Sequence, residues 1–94
     1  MINITYLNGD FKEFKTLKHA DLSKADLTNC DLRGRDLSGV DFSHSDLRGA
    51  NLRHCDLFAA DFSHADLTGA DLTYANIKRC VFKCVDLTYV TTNV

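Results

Sequence analysis

The sequence predicts an all-β solenoid, a chain wound as a coil around a narrow apolar axis, and three observations carry that prediction. A five-residue unit runs unbroken from Ala20 to Tyr89, fourteen times in succession. Within it, apolar residues recur at alternating gaps of two and three. A gap of two keeps both side chains on one face of an extended segment, and a gap of three demands a turn before the next inward pair, so the chain bends every five residues. The composition agrees: acid is used almost wholly as aspartate, with Glu13 the only glutamate, whereas helical chains use Glu freely and tolerate Asp poorly. A period of five fits neither the 3.6 residues of a helix turn nor the strict alternation of a long strand.

In chain order, residues 1–19 come first. Ile2, Leu7 and Leu17 keep the phase of the repeat, Lys12 breaks it, and Phe11 and Phe14 lie off register. This segment is expected to be a degraded first coil acting as an N-terminal cap, because an open coil end needs cover for its core and its unpaired backbone. Residues 20–89 are the repeat body. The central residue of each unit is Leu, Phe or Ile in all fourteen, and the residue before it is Asp or Asn in thirteen, broken only by Val81. The unit begins with Ala, Cys or Val in twelve cases, with Arg35 and Ser45 the departures. An unpaired charge at the inward position of Arg35 would cost on the order of 3 to 5 kcal/mol, so either the coil opens there or Arg35 escapes to a corner. Residues 90–94 are a β-prone, uncharged tail, suited to cap the other end or to pair with a second copy.

These units resemble the pentapeptide repeat family, whose motif is A(D/N)LXX, over about three quarters of the chain. The resemblance implies a right-handed quadrilateral β-helix with four units per coil and about four coils, the central and small residues pointing inward and the other three outward. Phe42, Phe62 and Phe82, the only phenylalanines at the central position, fall twenty residues apart. They are expected to form one aromatic ladder in the core.

Composition narrows the function. Thirteen acidic and eleven basic residues give a net charge of −2, which excludes a basic nucleic-acid binder and a polyacidic tail. With no apolar run long enough to span a bilayer and no leader-like start, the expectation is a cytoplasmic protein with no membrane and no direct nucleic-acid contact. Cys30, Cys55 and Cys80 recur every twenty-five residues, a repeat interval that reads as small buried residues replacing Ala, and Cys84 stands apart as an exposed thiol. No cofactor, metal or catalytic residue is expected. Ser43 and Ser63 neighbour His44 and His64 in sequence, but adjacency on an exposed corner orients no base. The pairs His44 and His64, Asp41 and Asp61 could in principle hold a divalent ion; solvated surface histidines are the better reading.

A twenty-residue coil assigns each outward charge to one of four faces. The first face (20–24, 40–44, 60–64, 80–84) carries Asp21, Asp41 and Asp61 against Lys24 and Lys83. The second (25–29, 45–49, 65–69, 85–89) carries Asp26, Asp46, Asp66 and Asp86 against Arg48. The third (30–34, 50–54, 70–74), with Asp31 and Asp71 against Arg33 and Arg53, is neutral. The fourth, with Asp36 and Asp56 against Lys15, Lys18, Arg35, Lys78 and Arg79, is basic. Between His54 and Ile77, Asp56, Asp61, Asp66 and Asp71 meet no Lys or Arg, so the acidic field is expected to peak at mid-length.

Coils stacked at about 4.8 Å would set these carboxylates in ladders, and four coils would span roughly 19 Å. Two adjacent acidic faces then approximate the phosphates of a short duplex, which carries one charge per roughly 1.7 Å. Turn chemistry alone accounts for Asp or Asn before the central residue, because such side chains bond backbone at turns; that eleven of the thirteen are Asp favours a negative surface. Several members of the family are regarded as DNA mimics, and the resemblance extends to short phage-encoded anti-CRISPR proteins. It implies a non-enzymatic inhibitor that occupies the basic cleft of a bacterial DNA-binding complex, a CRISPR effector ahead of gyrase, with a passive protein-interaction scaffold as the alternative. Phe58 and Tyr74, at outward positions, are the candidate apolar contacts for a partner or for a homodimer.

Overall fold

The computed structural model describes residues 1–93; Val94, assigned above to the C-terminal tail, lies outside the described residues. The fold is built from one local device repeated. In every one of the thirteen units that has Asp or Asn before its central residue, the side-chain Oδ1 accepts the N–H of the residue two positions on, at 2.8–3.3 Å. That bond bends the chain locally. The N–H opening the next unit then donates to the central carbonyl, as Ala25 does to Leu22 and Ala70 to Leu67. This closes a β-turn whose third residue lies in the left-handed region, with φ of 55–72° at the fifth position of every unit. Gly34, Gly39, Gly49 and Gly69 suit that conformation, and His and Asn tolerate it better than most side chains. All four histidines of the chain, His19, His44, His54 and His64, stand at such corners.

Successive corners wind the chain back on itself. Parallel bridges join each residue before the centre to its counterpart twenty positions later, from Asp21↔Asp41 to Asp71↔Thr91, so one turn of the coil takes four units. Backbone bonds run the same way, for example from Leu22 N–H to the Asp41 carbonyl and from Asp41 N–H to the Ala20 carbonyl. The described residues contain no helix, and the molecule measures 33 × 22 × 20 Å.

The core is the stack of central residues with the small first residues filling the gaps. Leu17 through Leu72, every central residue is buried, together with Ala25, Val40, Ala50, Cys55, Ala60, Ala65 and Ala70. The expected aromatic ladder is present: Phe42 and Phe62 stack at 4.9 Å and Phe62 and Phe82 at 5.3 Å, their planes nearly parallel. The two departures from the small first residue resolve differently. Ser45 is buried and turns its hydroxyl onto the Phe42 carbonyl at 2.6 Å, whereas Arg35 is exposed, so no charge enters the core. Lys15, one coil earlier in the same column, is exposed as well.

The N-terminal segment departs from expectation. Only its last unit joins the coil, where Ala20 N–H bonds the Leu17 carbonyl and His19 N–H bonds the Ser38 carbonyl. Residues before it form an antiparallel hairpin of β1 (Ile2–Tyr6) and β2 (Phe11–Phe14), and β1 also pairs antiparallel with β3 (Ala25–Asp26) on the second face. The cause lies in the local pattern: Ile2, Ile4 and Tyr6 alternate with polar residues, and Asn8-Gly9-Asp10 supplies a tight turn with Gly9 at φ 91°. Ile4 is buried, and Ile2, Tyr6 and Phe14 pack against the core. At the other end the chain keeps its winding through Val90 and Thr91, which bond Leu87 and Ala70.

Candidate functional site

On the first face, parallel bridges stack Asp21, Asp41 and Asp61 in one column. On the second face they stack Asp26, Asp46, Asp66 and Asp86. In each residue Oδ1 is held by the turn, which fixes the carboxylate and leaves Oδ2 to face solvent or a cation. The Ser23 hydroxyl and N–H hold Asp21 below the usual carboxylate range, Ser63 does the same for Asp61, and Thr73 and Thr88 for Asp71 and Asp86. These groups stay charged well below neutral pH.

The two columns differ in their counter-charges. Arg48 Nη2 bonds Asp46 Oδ2 at 2.7 Å while its Nε lies 4.0 Å from Asp66, so one guanidinium bridges the middle of the second column. Arg53 approaches Asp71 at 3.9 Å, Arg33 pairs with Asp31 at 3.0 Å, and Lys18 lies 3.9 Å from Asp36. Among the described residues, Asp21, Asp41 and Asp61, with Asp26, Asp56 and Asp86, carry no ion pair. The sequence could not separate the two columns, because it does not show which way Arg48 leans.

Beside the first column, His44 and His64 stack with ring centroids 4.8 Å apart and planes 9° apart. Ser43 and Ser63 are engaged by the turns of Asp41 and Asp61. Among the described residues no group of three or more His, Cys, Asp and Glu is placed to hold a metal ion, and no helix is long and apolar enough to cross a membrane. Cys30, Cys55 and Cys80 line the inside, where burial pushes the Cys80 thiol up to about 11, and Cys55 and Cys80 point their sulfurs at the Leu32 and Leu57 carbonyls. Cys84 is exposed.

Phe58 is exposed on the fourth face and Tyr74 on the third, at the corner that leads into the fourth. Tyr74 stacks on His54 at 5.1 Å, and its N–H donates to Asn93 Oδ1. One surface feature had no sequence signal: an open groove of about 600 Å³ between the hairpin turn and the first face, lined by Tyr6, Leu7, Asp10, Lys12, Asp21 and Lys24. It exists because β1 crosses the coil, where Tyr6 Oη donates to the Asp21 carbonyl and Lys12 Nζ lies 5.5 Å above the Tyr6 ring.

Comparison with known proteins bears on this architecture. The family model "Pentapeptide repeats" matches in eight copies over residues 16–34, 36–73 and 60–91. The crystal structure of alr5209, a pentapeptide repeat protein from Nostoc PCC 7120, is 44% identical with a TM-score of 0.76, covering 78% of this chain and 60% of that one. Rfr23, a pentapeptide repeat protein from the cyanobacterium Cyanothece 51142, is 30% identical with a TM-score of 0.53, covering 80% and 55%. HetL from Nostoc sp. strain PCC 7120, a pentapeptide repeat protein involved in heterocyst differentiation regulation, is 27% identical with a TM-score of 0.53, covering 80% and 37%. The chain thus spans 60% or less of the length of these three relatives. No curated protein sequence matches it. Through these neighbours the coil is a right-handed β-helix, and the repeat, its turn chemistry and its matches together place the chain in the pentapeptide repeat family.

Proposed function

We propose that this protein is a non-enzymatic mimic of duplex DNA, which inhibits a bacterial DNA-binding complex by occupying its basic cleft, a CRISPR effector before gyrase. The observation that carries the reading is the column Asp21, Asp41 and Asp61, stacked by parallel bridges, held by their turns and without ion pairs among the described residues. A fixed carboxylate at every coil spacing of about 4.8 Å presents charge at a density a phosphate-binding cleft accepts. Rigidity spares the ordering cost that a flexible acidic tail would incur on binding. Family members generally serve as structural or interaction proteins, which supports a role without catalysis.

A second reading, a passive interaction scaffold, draws on Arg48. By bridging Asp46 and Asp66 it neutralises the middle of the second column, and the turn bond by itself accounts for an acceptor at each position. The separating experiment is capture of partners from bacterial lysate by the wild-type chain and by a variant with Asp41, Asp46, Asp61 and Asp66 all changed to Asn. Asn51 and Asn76 already make the same turn bond, so the variant keeps its fold and loses its charge. Under mimicry the wild type alone captures a DNA-binding complex, and duplex DNA or salt releases it. Equal capture by both chains would favour the scaffold and point to Phe58 and the coil ends.

A further inference from the structure

We infer that the corner at Gly34, between the third and fourth faces, is a binding site for a nucleotide, whose base extends the ring stack of His54 and Tyr74 and whose phosphate meets Arg35. The inference stands apart from DNA mimicry, since the acidic columns of that reading lie on the first and second faces. Corner residues twenty apart stand one above another, and rings at such positions stack: His44 on His64 at 4.8 Å, and His54 on Tyr74 at 5.1 Å. Gly34 is the next position in the column of His54 and Tyr74, tied to it by the bond from Gly34 N–H to the Arg53 carbonyl and by the bridge of Asp31 with Asn51. Tyr74 covers one face of the His54 ring. The other face looks toward Gly34, which brings no side chain to it.

The other corner glycines set this one apart. At Gly39 and Gly49 the residue twenty positions earlier fills the space: a Cβ at Gly39 would fall on the His19 ring, and one at Gly49 would collide with Asn29 Oδ1. At Gly34 a Cβ would meet nothing within 4 Å. Gly69 is uncrowded as well, but its chain neighbours are Thr68 and Ala70, which offer no charge. The cause at Gly34 is the hairpin. Phe14, twenty residues earlier, belongs to β2 and packs against the core, so it does not lean over the corner. What results is an open cleft of about 570 Å³ lined by Asp31, Arg33, Gly34, Arg35 and His54. That volume falls within the range of about 300–1,000 Å³ usual for small-molecule sites. The His19 ring over Gly39 is the intramolecular counterpart of a base over Gly34.

The side chains around the cleft fix the class of ligand. The face of an aromatic ring accepts any base, because every base has a π-face. Arg35 is exposed and forms no ion pair among the described residues, and its planar fork of donors matches a phosphate. Arg33 is held by Asp31 through Nε and Nη2, each at 3.0 Å, which leaves its Nη1 donors for a ligand oxygen. Asp31 Oδ2 takes one donor from Arg33 and has a lone pair left to accept a ribose hydroxyl. Two guanidiniums against one carboxylate leave the cleft net positive, which favours an anionic ring over a neutral one. A nucleoside monophosphate supplies the flat ring, the hydroxyls and the anion in one small molecule, with the ribose as spacer between His54 and Arg35.

The test titrates adenosine monophosphate into the isotope-labelled 94-residue chain and follows it by nuclear magnetic resonance. Binding is expected to move the amide signals of Gly34, Arg35 and His54 and to shift the base protons upfield, the signature of ring stacking. Arg35→Gln is expected to weaken adenosine monophosphate about tenfold and to leave adenosine unchanged. His54→Ala should weaken both about tenfold. Gly34→His introduces a residue that this chain already carries at left-handed corners. Its ring takes the place of the base, so binding is expected to fall about tenfold or more, with the amide signals of the first and second faces unchanged. Inorganic phosphate producing the same shifts at the same concentration would reduce the cleft to an anion site and overturn the inference. Equal affinity in the wild type and Gly34→His would overturn it too, as would an absence of shifts at millimolar nucleotide.

Discussion

Phe62 lies flat on Phe42, ring centroids 4.9 Å apart and planes 9° apart, and both side chains are fully buried. Their separation is the coil spacing itself, so each ring acts as a spacer that the backbone bridges on the same face reproduce. Phe62→Ala is expected to destabilise the fold by about 3–5 kcal/mol, because a rigid coil cannot collapse into the cavity. Phe62→Leu should cost much less, since Leu fills most other central positions. Denaturant unfolding of the two variants checks the order.

Gly39 and Gly34 separate backbone strain from collision. Both have left-handed φ, but a Cβ at Gly39 would run into the His19 ring one coil earlier, whereas at Gly34 it meets open space. Gly34→Ala is expected to lose about 1 kcal/mol, from the backbone alone. Gly39→Ala should lose more, and the excess should vanish in a His19→Ala background. A double-mutant cycle by thermal or denaturant unfolding measures that coupling.

The depressed carboxyls of Asp21, Asp61 and Asp71 are expected to contribute to the acid limb of stability, together with Asp31, Asp36, Asp46 and Asp86, which are lowered in the same way. Since their folded values lie below the ordinary 3.8, the stability they contribute is complete above that value and is lost as the pH falls through the folded values. The melting temperature should be insensitive to these groups from neutral pH down to about pH 5 and should drop below about pH 4. Substituting Ser23 and Thr73 by Ala, which removes the hydroxyl donors, should reduce that drop.

Thiol reactivity should report the inside and outside of the coil. Cys84 is exposed and is expected to react with a thiol reagent in the native protein, whereas Cys55 and Cys80 are raised by burial and should react only on unfolding. Rapid native labelling of Cys55 or Cys80 would contradict the inward placement.

The repeat by itself determined the coil. A central Leu or Phe every five residues, preceded by Asp or Asn, fixes both the inward stripe and the bend, because the turn bond spans only two residues and needs nothing from elsewhere in the chain. The twenty-residue spacing of Phe42, Phe62 and Phe82 likewise makes the aromatic ladder legible in the sequence itself. What only the tertiary structure decided is what the repeat leaves free. The hairpin at residues 2–14 has its own alternation, and its docking by β1 on Asp26 is a long-range pairing. The lean of Arg48 toward Asp46 and Asp66, and the outward escape of Arg35, depend on which coil lies above or below a long flexible side chain. Local bonds propagate with the sequence period, whereas charge pairing and edge pairing depend on neighbours a full coil away, and those neighbours exist only once the chain has wound.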